Sequence, residues 1–440
     1  MAGPRVVLVS NGPGELTTWV RPTLRAWRAL DPSAHVSIAL IPCQFASGGE
    51  ADLARTFGAD AVTTPADYLR AAAAGRAPSA LVGAEHASGV VLSMGGNGAL
   101  AAALGRRLGY PVMRYSFVPY LARGIERLFV HDEGTLRKAR RLGVAARRVE
   151  AIGNLVADAL EVSDPVPDPG DPHVLLLAGS RDAFAVHLIP FMIALADALH
   201  ERYPEARMVW PVSSLLSAEA IEAGIAGRHA DTLGGAAGRR EGDDVVAPGG
   251  ARIRMVRAHD RPGQLQVATV AVTIPGTNTL ELGIAGVPSV VMLPMNRPEI
   301  IPLEGPGHWL SLLPLVGTPL KRWAVRLFVE RLDYPVSLPN QFTGEPLMVE
   351  VTGVVDVAGV AAAVAHLVDD VDDRRRRANR LRATMPGPGA AERLVRRVYE
   401  LREWPLAAAP APAAPGAAGA AAGAAGDGGD GGDGGDGGAT

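Results

Sequence analysis

Cysteine is almost absent: Cys43 stands alone in 440 residues, so neither a disulfide framework nor a cysteine-based zinc site can be built within one chain. Aromatic residues make up only 5% of the chain while Ala, Gly, Val and Leu abound, a composition that suits parallel sheets covered by helices. Neither sign of charge dominates. The formal net charge of −3 argues against a general nucleic-acid binder. No uninterrupted apolar run reaches the roughly 18 residues of a membrane-spanning helix, and the start, MAGPRVVLVSNGPGEL, lacks a basic region followed by a long apolar one. A soluble cytoplasmic protein is the expectation, with peripheral contact on the inner face of the cytoplasmic membrane left open. With 48% hydrophobic residues, a chain of this length can bury a large core and is expected to form two domains.

The most informative stretch is residues 270–295. Apolar runs at 270–274 and 289–293 flank a turn at Pro275-Gly276 and a helix-like segment that begins near Thr277. Such a turn leaves backbone N–H groups pointing outward at the positive end of a helix dipole, where an anion such as pyrophosphate can sit. Thr277, Asn278 and Thr279 add donors, and Glu281 offers a carboxylate suited to a pair of sugar hydroxyls. Phosphate donors followed by a diol acceptor point to a nucleotide site. Taken alone, the pattern is also the ordinary repeating unit of α/β proteins.

The same grammar recurs along the chain. A strand at 5–10 runs into Asn11-Gly12-Pro13-Gly14-Glu15 and then a helix. Gly12 and Gly14 have dinucleotide-fingerprint spacing, but Thr17 stands where a third glycine belongs, and the next strand ends in Ile41-Pro42 with no acidic residue for a ribose. A nicotinamide-dependent oxidoreductase is therefore rejected. Glu15 reads either as a helix-capping acid or as an active-site carboxylate. A second strand reaches Gly95, Gly96, Asn97 and Gly98, a turn that allows close backbone approach to a ligand or tight helix packing. His131, at the end of a strand at 125–130, is an acid/base candidate expected to face a cleft, or else a hydrogen-bonded structural residue. In the second half a strand at 173–177 delivers Gly179, Ser180 and Arg181 to a long helix, and the guanidinium fork suits phosphate oxygens.

A Pro- and Asp-rich stretch at 161–171 marks the domain boundary. The charged, Gly-rich segment at 231–250 reads as a mobile insertion. Residues 307–332 combine leucines with basic flanks; burial in the core or in a dimer contact is favoured over contact with an anionic bilayer. Residues 334–340 end in a turn at Pro339-Asn340, and 357–367 and 374–403 are helical. Residues 405–440 form an acidic Ala/Pro/Gly/Asp tail expected to be disordered.

Together these stretches resemble lipid-A-disaccharide synthase, a family of glycosyltransferases with two Rossmann-like domains facing each other across a cleft, the GT-B arrangement. The resemblance rests on GSR at 179–181, GTNTLE at 276–281 followed by AGVPSVV, SLPN at 337–340, IGNLVADAL at 152–160, and NGPGEL at 11–16 in place of the family's Gly-Glu-Ala-Ser-Gly-Asp turn. It implies an N-terminal acceptor domain at 1–163, a C-terminal nucleotide-sugar domain at 172–372, and a last helix within 374–403 that crosses back onto the first domain. It also implies a UDP-sugar donor held by Gly179, Ser180, Arg181, Gly276, Thr277, Asn278, Thr279, Glu281 and Asn340, with N-acetylglucosamine the candidate sugar. No metal or other cofactor is then needed, because N–H groups and an arginine can stabilise the departing diphosphate. The family's Asp-rich acceptor-side motif is missing here, since no Asp lies between Ser93 and Leu108, and Asn11 replaces the family's Glu while Glu15 stands for its Asp. A relative with a different, unidentified acceptor, a lipid-linked one being the candidate, is therefore expected rather than the synthase itself. Glu15, His131 and Asn11 are the catalytic candidates, Glu15 the first choice of base and His131 the second, with the turn Gly95, Gly96, Asn97 and Gly98 on the acceptor side. The rival readings are a UDP-N-acetylglucosamine 2-epimerase and a non-catalytic nucleotide-sugar or lipid binder.

Overall fold

Runs of Val, Leu and Ile that are apolar on both faces become central parallel strands, because helices must cover both sides of such a sheet. The computed structural model of the protein describes residues 3–42, 48–82, 88–160, 170–257, 260–296 and 335–406. Within the first domain, β1 (Arg5–Ser10), β2 (His35–Leu40), β3 (Ala61–Thr63), β4 (Gly89–Met94), β5 (Val112–Ser116), β6 (Arg127–Val130) and β7 (Val149–Ala151) form a parallel sheet in the order β3-β2-β1-β4-β5-β6-β7. Val6 to Val9 pair in register with Val36 to Ala39 on one side and Val90 to Ser93 on the other, and all of them are buried.

The second domain repeats the design. Its strands are β8 (His173–Leu176), β9 (Arg207–Pro211), β10 (Arg239–Glu241), β11 (Asp244–Val246), β12 (Arg252–Val256), β13 (Val270–Thr273), β14 (Ser289–Pro294) and β15 (Val349–Gly353), in the order β10-β11-β12-β9-β8-β13-β14-β15. The segment read as a mobile insertion is instead the β10–β11 hairpin, which extends the edge of the sheet in antiparallel register. Its charges pair across strands, Arg254 with Asp244 at 2.7 Å and Arg252 with Glu241 at 2.8 Å. Two further expectations change. Residues 338–340 open a short helix, Leu338–Thr343, rather than a turn. Among the described residues one helix, Asp182–Arg202, proves long and apolar enough to cross a membrane by length and composition, but Leu188, Phe191, Ile193 and Leu195 bury it in the core of the second domain.

The chain crosses back near its end. The expected single helical stretch divides in two: Val371–Thr384 stays on the second domain, with Leu381 packed beside Leu282, and Ala390–Arg402 returns to the first. Leu394, Val395, Val398 and Tyr399 of the returning helix are buried with Leu24 and Trp27, each such side chain contributing about 1.5–3 kcal/mol of transfer free energy. Asp158 fixes the point of arrival by accepting from Gly389 N at 2.5 Å and Ala391 N at 3.1 Å. Tyr399 Oη donates to Asp31 Oδ2 at 2.6 Å. Two doubly wound domains with this crossing are the GT-B architecture. The segments at 161–169, 297–334 and 407–440 lie outside the described residues, and with them most of the boundary stretch, the apolar-basic segment at 307–332 and nearly all of the tail.

Candidate functional site

In each sheet the winding reverses between two neighbouring strands, β1 and β4 in the first and β8 and β13 in the second. Crevices at the carboxyl ends of such strands are where ligands bind in open α/β sheets. All four glycine-containing turns singled out in the sequence lie there. The two crevices open into one cleft of about 1570 Å³ lined by Asn11, Gly12, Gly14, Glu15 and Gly96 from the first domain, and by Gly179, Ser180, Arg181, Gly276, Thr277, Asn278 and Glu281 from the second. The domains meet closely: a Cβ added to Gly14 would lie 3.8 Å from Thr277 Oγ1.

On the first-domain side the two turns interlock. A Cβ on Gly96 would come 2.7 Å from Asn11 Cγ, one on Gly95 would come 3.1 Å from Glu15 Cγ, and one on Gly12 would collide with the Glu15 carboxylate. Gly96 also has φ +65, so both space and backbone demand glycine. Arg114 braces this turn through Nη2 to Gly96 O at 3.1 Å, and burial lowers its pKa below the usual arginine value. Asn97 faces away from the cleft and caps the helix Gly98–Leu108, its Oδ1 accepting from Ala99 N at 2.9 Å. After Glu15 the backbone passes through a π-helical turn, Leu16–Val20, where the Thr17 and Thr18 hydroxyls both donate to Gly14 O, at 3.1 and 2.7 Å. Hydroxyls inserted into the backbone ladder favour such a bulge. The bulge carries Trp19, which lines the cleft and meets Tyr115 edge to face and Phe117 at a tilt, at centroid distances of 5.1 and 4.9 Å.

On the second-domain side two helices point their N-termini at the cleft. Neither Arg181, before the helix Asp182–Arg202, nor Gly276, before the helix Thr277–Ala285, caps its helix with a side chain. Gly276 has φ 138 and ψ −165, a conformation that glycine reaches without strain. Beside this turn, Arg261 Nη2 lies 2.7 Å from Glu281 Oε2 and donates to Asn278 Oδ1 at 3.1 Å. Nothing in the sequence had singled out Arg261. The Glu281 carboxylate, expected to meet a ribose, lines the cleft and is paired there with this guanidinium.

Three expected site residues lie behind the wall. Thr279 is fully buried, its hydroxyl donating to Gly276 O at 2.8 Å and accepting from Leu338 N at 3.1 Å. Asn340 is spent on Met348 and Glu350: Nδ2 donates to Met348 O and Glu350 Oε1, both at 2.9 Å, and Oδ1 accepts from Met348 N at 2.8 Å. These two residues fix the short helix Leu338–Thr343 against the phosphate-type turn and present no donor to a ligand. His131 is outside the cleft lining as well. Its ring is packed between Phe117 at 4.2 Å and Phe342 at 5.7 Å, and Nε2 lies 3.2 Å from Asp132 Oδ2. The hydrogen bond from His131 and that from Thr135 N hold the Asp132 carboxyl well below the usual range against the opposing effect of burial.

The electrostatics of the cleft are one-sided. Among the described residues, Arg21, Arg25, Arg181, Arg257 and Arg261 line it against two carboxylates, Glu15 and Glu281. No described group of three or more His, Cys, Asp or Glu is placed to hold a metal ion. A cleft with this surplus of guanidinium groups and two uncapped helix N-termini is built to hold an anion with several oxygens.

The fold and this cleft define a two-domain GT-B protein. Among solved structures the chain is similar to S. aureus MnaA determined with UDP, with 12% identity and a TM-score of 0.52, covering 91% of this chain and 97% of that one. It is similar also to the UDP-GlcNAc 2-epimerase of Neisseria meningitidis bound to UDP-GlcNAc, with 11% identity and a TM-score of 0.50, covering 90% of this chain and all of the other. At these identities the likeness is one of fold. By sequence, the chain has a distant partial match to the lipid-A-disaccharide synthase of Geobacter sulfurreducens, 30% identical over 125 residues, which are 28% of this chain and 27% of that protein. The match thus spans about a quarter of the relative's length. No protein-family model matches the chain.

Proposed function

We propose that the chain is a metal-independent glycosyltransferase that moves a sugar, with N-acetylglucosamine as the candidate, from a UDP-sugar to a lipid-linked acceptor. The observation that carries this reading is a cleft lined by Arg181, Arg257 and Arg261 of the second domain and by Arg21 and Arg25 of the first, onto which two second-domain helix N-termini open. The partial likeness to lipid-A-disaccharide synthase supports it. The diphosphate rests on the turns at Gly179–Arg181 and Gly276–Asn278, where preorganised N–H groups, Arg181 and Arg261 stabilise the charge that grows as UDP departs. An acceptor hydroxyl approaches from the first domain, Glu15 takes its proton, and attack from the face opposite the diphosphate inverts the anomeric centre. Closure of the domains excludes water. The reaction takes place in the cytoplasm or at the inner face of the membrane.

Among the described residues two carboxylates line the cleft, Glu281 beside Arg261 on the donor side and Glu15 on the acceptor side, a sparse complement for an epimerase, which needs acids and bases on both faces of a sugar carbon. The test is incubation with radiolabelled UDP-sugars and a lipid extract. Release of UDP with label entering the lipid is expected. Label recovered as an epimerised UDP-sugar would replace transfer by epimerisation, and tight UDP-sugar binding with no UDP release would make the protein a binder.

A further inference from the structure

One edge of the first domain carries positive charge that no neighbouring carboxylate answers. Residues 117–148 contain eight Arg or Lys and three Asp or Glu, in a chain whose formal net charge is −3. Two of these cations brace the edge itself: Arg148 donates to Ile125 O and Glu126 O, and Arg127 donates to Arg147 O. The other six, Arg123, Arg137, Lys138, Arg140, Arg141 and Arg147, are exposed and form no ion pair among the described residues. Elsewhere some exposed arginines find carboxylates, as Arg55, Arg70, Arg240, Arg252, Arg380 and Arg396 do, and others such as Arg76 and Arg228 find none among the described residues; what sets this edge apart is six such cations within 25 residues.

Apolar groups share this edge. Val118 is 46% exposed, Tyr120 65% and Leu142 57%. The helix Glu133–Arg141 turns Thr135, Leu136 and Ala139 inward, which leaves Arg137, Lys138, Arg140 and Arg141 outside. Leu121 packs on the same buried cluster as Leu136 and Ala139, so the loop bearing Val118 and Tyr120 adjoins this helix. At its other end the loop begins at Phe117, which lines the cleft.

Cations can be solvated by water, but a tyrosine and two aliphatic side chains beside them gain only from a partner that is both negatively charged and apolar beneath its surface. A bilayer interface with acidic headgroups is such a partner. Nucleic acid answers the arginines and offers nothing to Val118 or Leu142. From this combination we infer that residues 117–148 dock the first domain on an anionic phospholipid surface, with the mouth of the cleft alongside through Phe117. The contact stands on the edge alone and holds whether or not the cleft transfers a sugar.

Co-sedimentation of the full chain with phosphatidylcholine vesicles containing about 30 mol % phosphatidylglycerol tests it, since each surface cation adds about fivefold to binding at such a surface. The protein should sediment with these vesicles, stay in solution with phosphatidylcholine alone, and be released at about 0.5 M salt, where the charges are screened. The combined variant R137S/K138S/R140S/R141S should bind at least about tenfold more weakly, and V118S/Y120S about threefold to tenfold more weakly. Thermal melts followed by circular dichroism check that both variants fold; if the fourfold variant melts early, Arg137→Ser and Arg141→Ser singly decide. Failure of the parent chain to bind anionic vesicles, or undiminished binding by the charge variants, overturns the proposal. So does a result in which these variants lose affinity for a mixed-sequence DNA duplex but not for vesicles, which would make nucleic acid the partner.

Discussion

Arg261 and Glu281 form an ion pair of 2.7 Å beside the start of the helix Thr277–Ala285, and both side chains line the cleft. If Arg261 contacts a donor phosphate, Arg261→Ala should weaken UDP binding by about tenfold to a hundredfold, the range of a charge-assisted hydrogen bond. Glu281→Ala, which leaves the arginine in place but unheld, should cost less. Isothermal titration with UDP measures both, and a larger loss in the Glu281 variant would restore a direct role for that carboxylate at the ribose.

Glu15 lies against the Gly95 and Gly12 backbone on the first-domain wall of the cleft. Replacing it by Gln keeps shape and removes the base, so turnover should fall by about 10²–10⁴-fold while UDP affinity stays unchanged. Parent-like turnover in the variant would exclude Glu15 as the base.

Gly276 provides a separate test of the donor turn. At φ 138 a Cβ is strained, although no neighbouring atom lies within 4 Å of where it would sit. Gly276→Ala should therefore destabilise the protein by about 1–3 kcal/mol and misalign the N–H groups at Thr277 and Asn278. A thermal melt and a UDP titration on the same sample would read both effects; unchanged values in both would mean that the turn tolerates an ordinary residue.

The pair His131–Asp132 predicts a pH effect on stability. The Asp132 pKa is depressed in the folded protein, so the folded state binds fewer protons there than the unfolded one. Its stabilising contribution is complete above the unfolded carboxyl value of about 3.9 and is lost as pH falls through the lower folded value. Asp132→Asn should thus lower stability most at neutral pH and converge with the parent chain in strong acid, as denaturant titrations across that range would show. A constant offset at every pH would assign the loss to the helix cap at Thr135 instead.

Much of this architecture was legible in the sequence, and the exceptions have a common cause. Strand-turn-glycine-helix units announce themselves locally, and so Gly96, Gly179 and Gly276 could be placed at strand ends before any fold was known. Nothing local distinguishes a hydroxyl or amide that faces a cleft from one that faces the wall behind it. Thr279 and Asn340 have the right chemistry and the wrong orientation, and His131 shares a strand end with the cleft yet packs between two phenylalanines. Arg261 was missed for the complementary reason: its partner is twenty positions further along the chain, and no periodicity links them. The β10–β11 hairpin looked mobile because an edge ribbon stabilised by cross-strand ion pairs has the composition of a loop.

The returning helix Ala390–Arg402 has a consequence for how the protein is made. The core of the first domain begins with β1 near the N-terminus but is closed by Leu394, Val395, Val398 and Tyr399, so a nascent chain exposes that apolar seam until the whole second domain has been synthesised. Sequence-distant contacts of this kind slow folding and lengthen the time during which sticky surface is open to other chains. Ribosome-bound intermediates that end before residue 390 should therefore recruit chaperones at the face formed by Leu24 and Trp27.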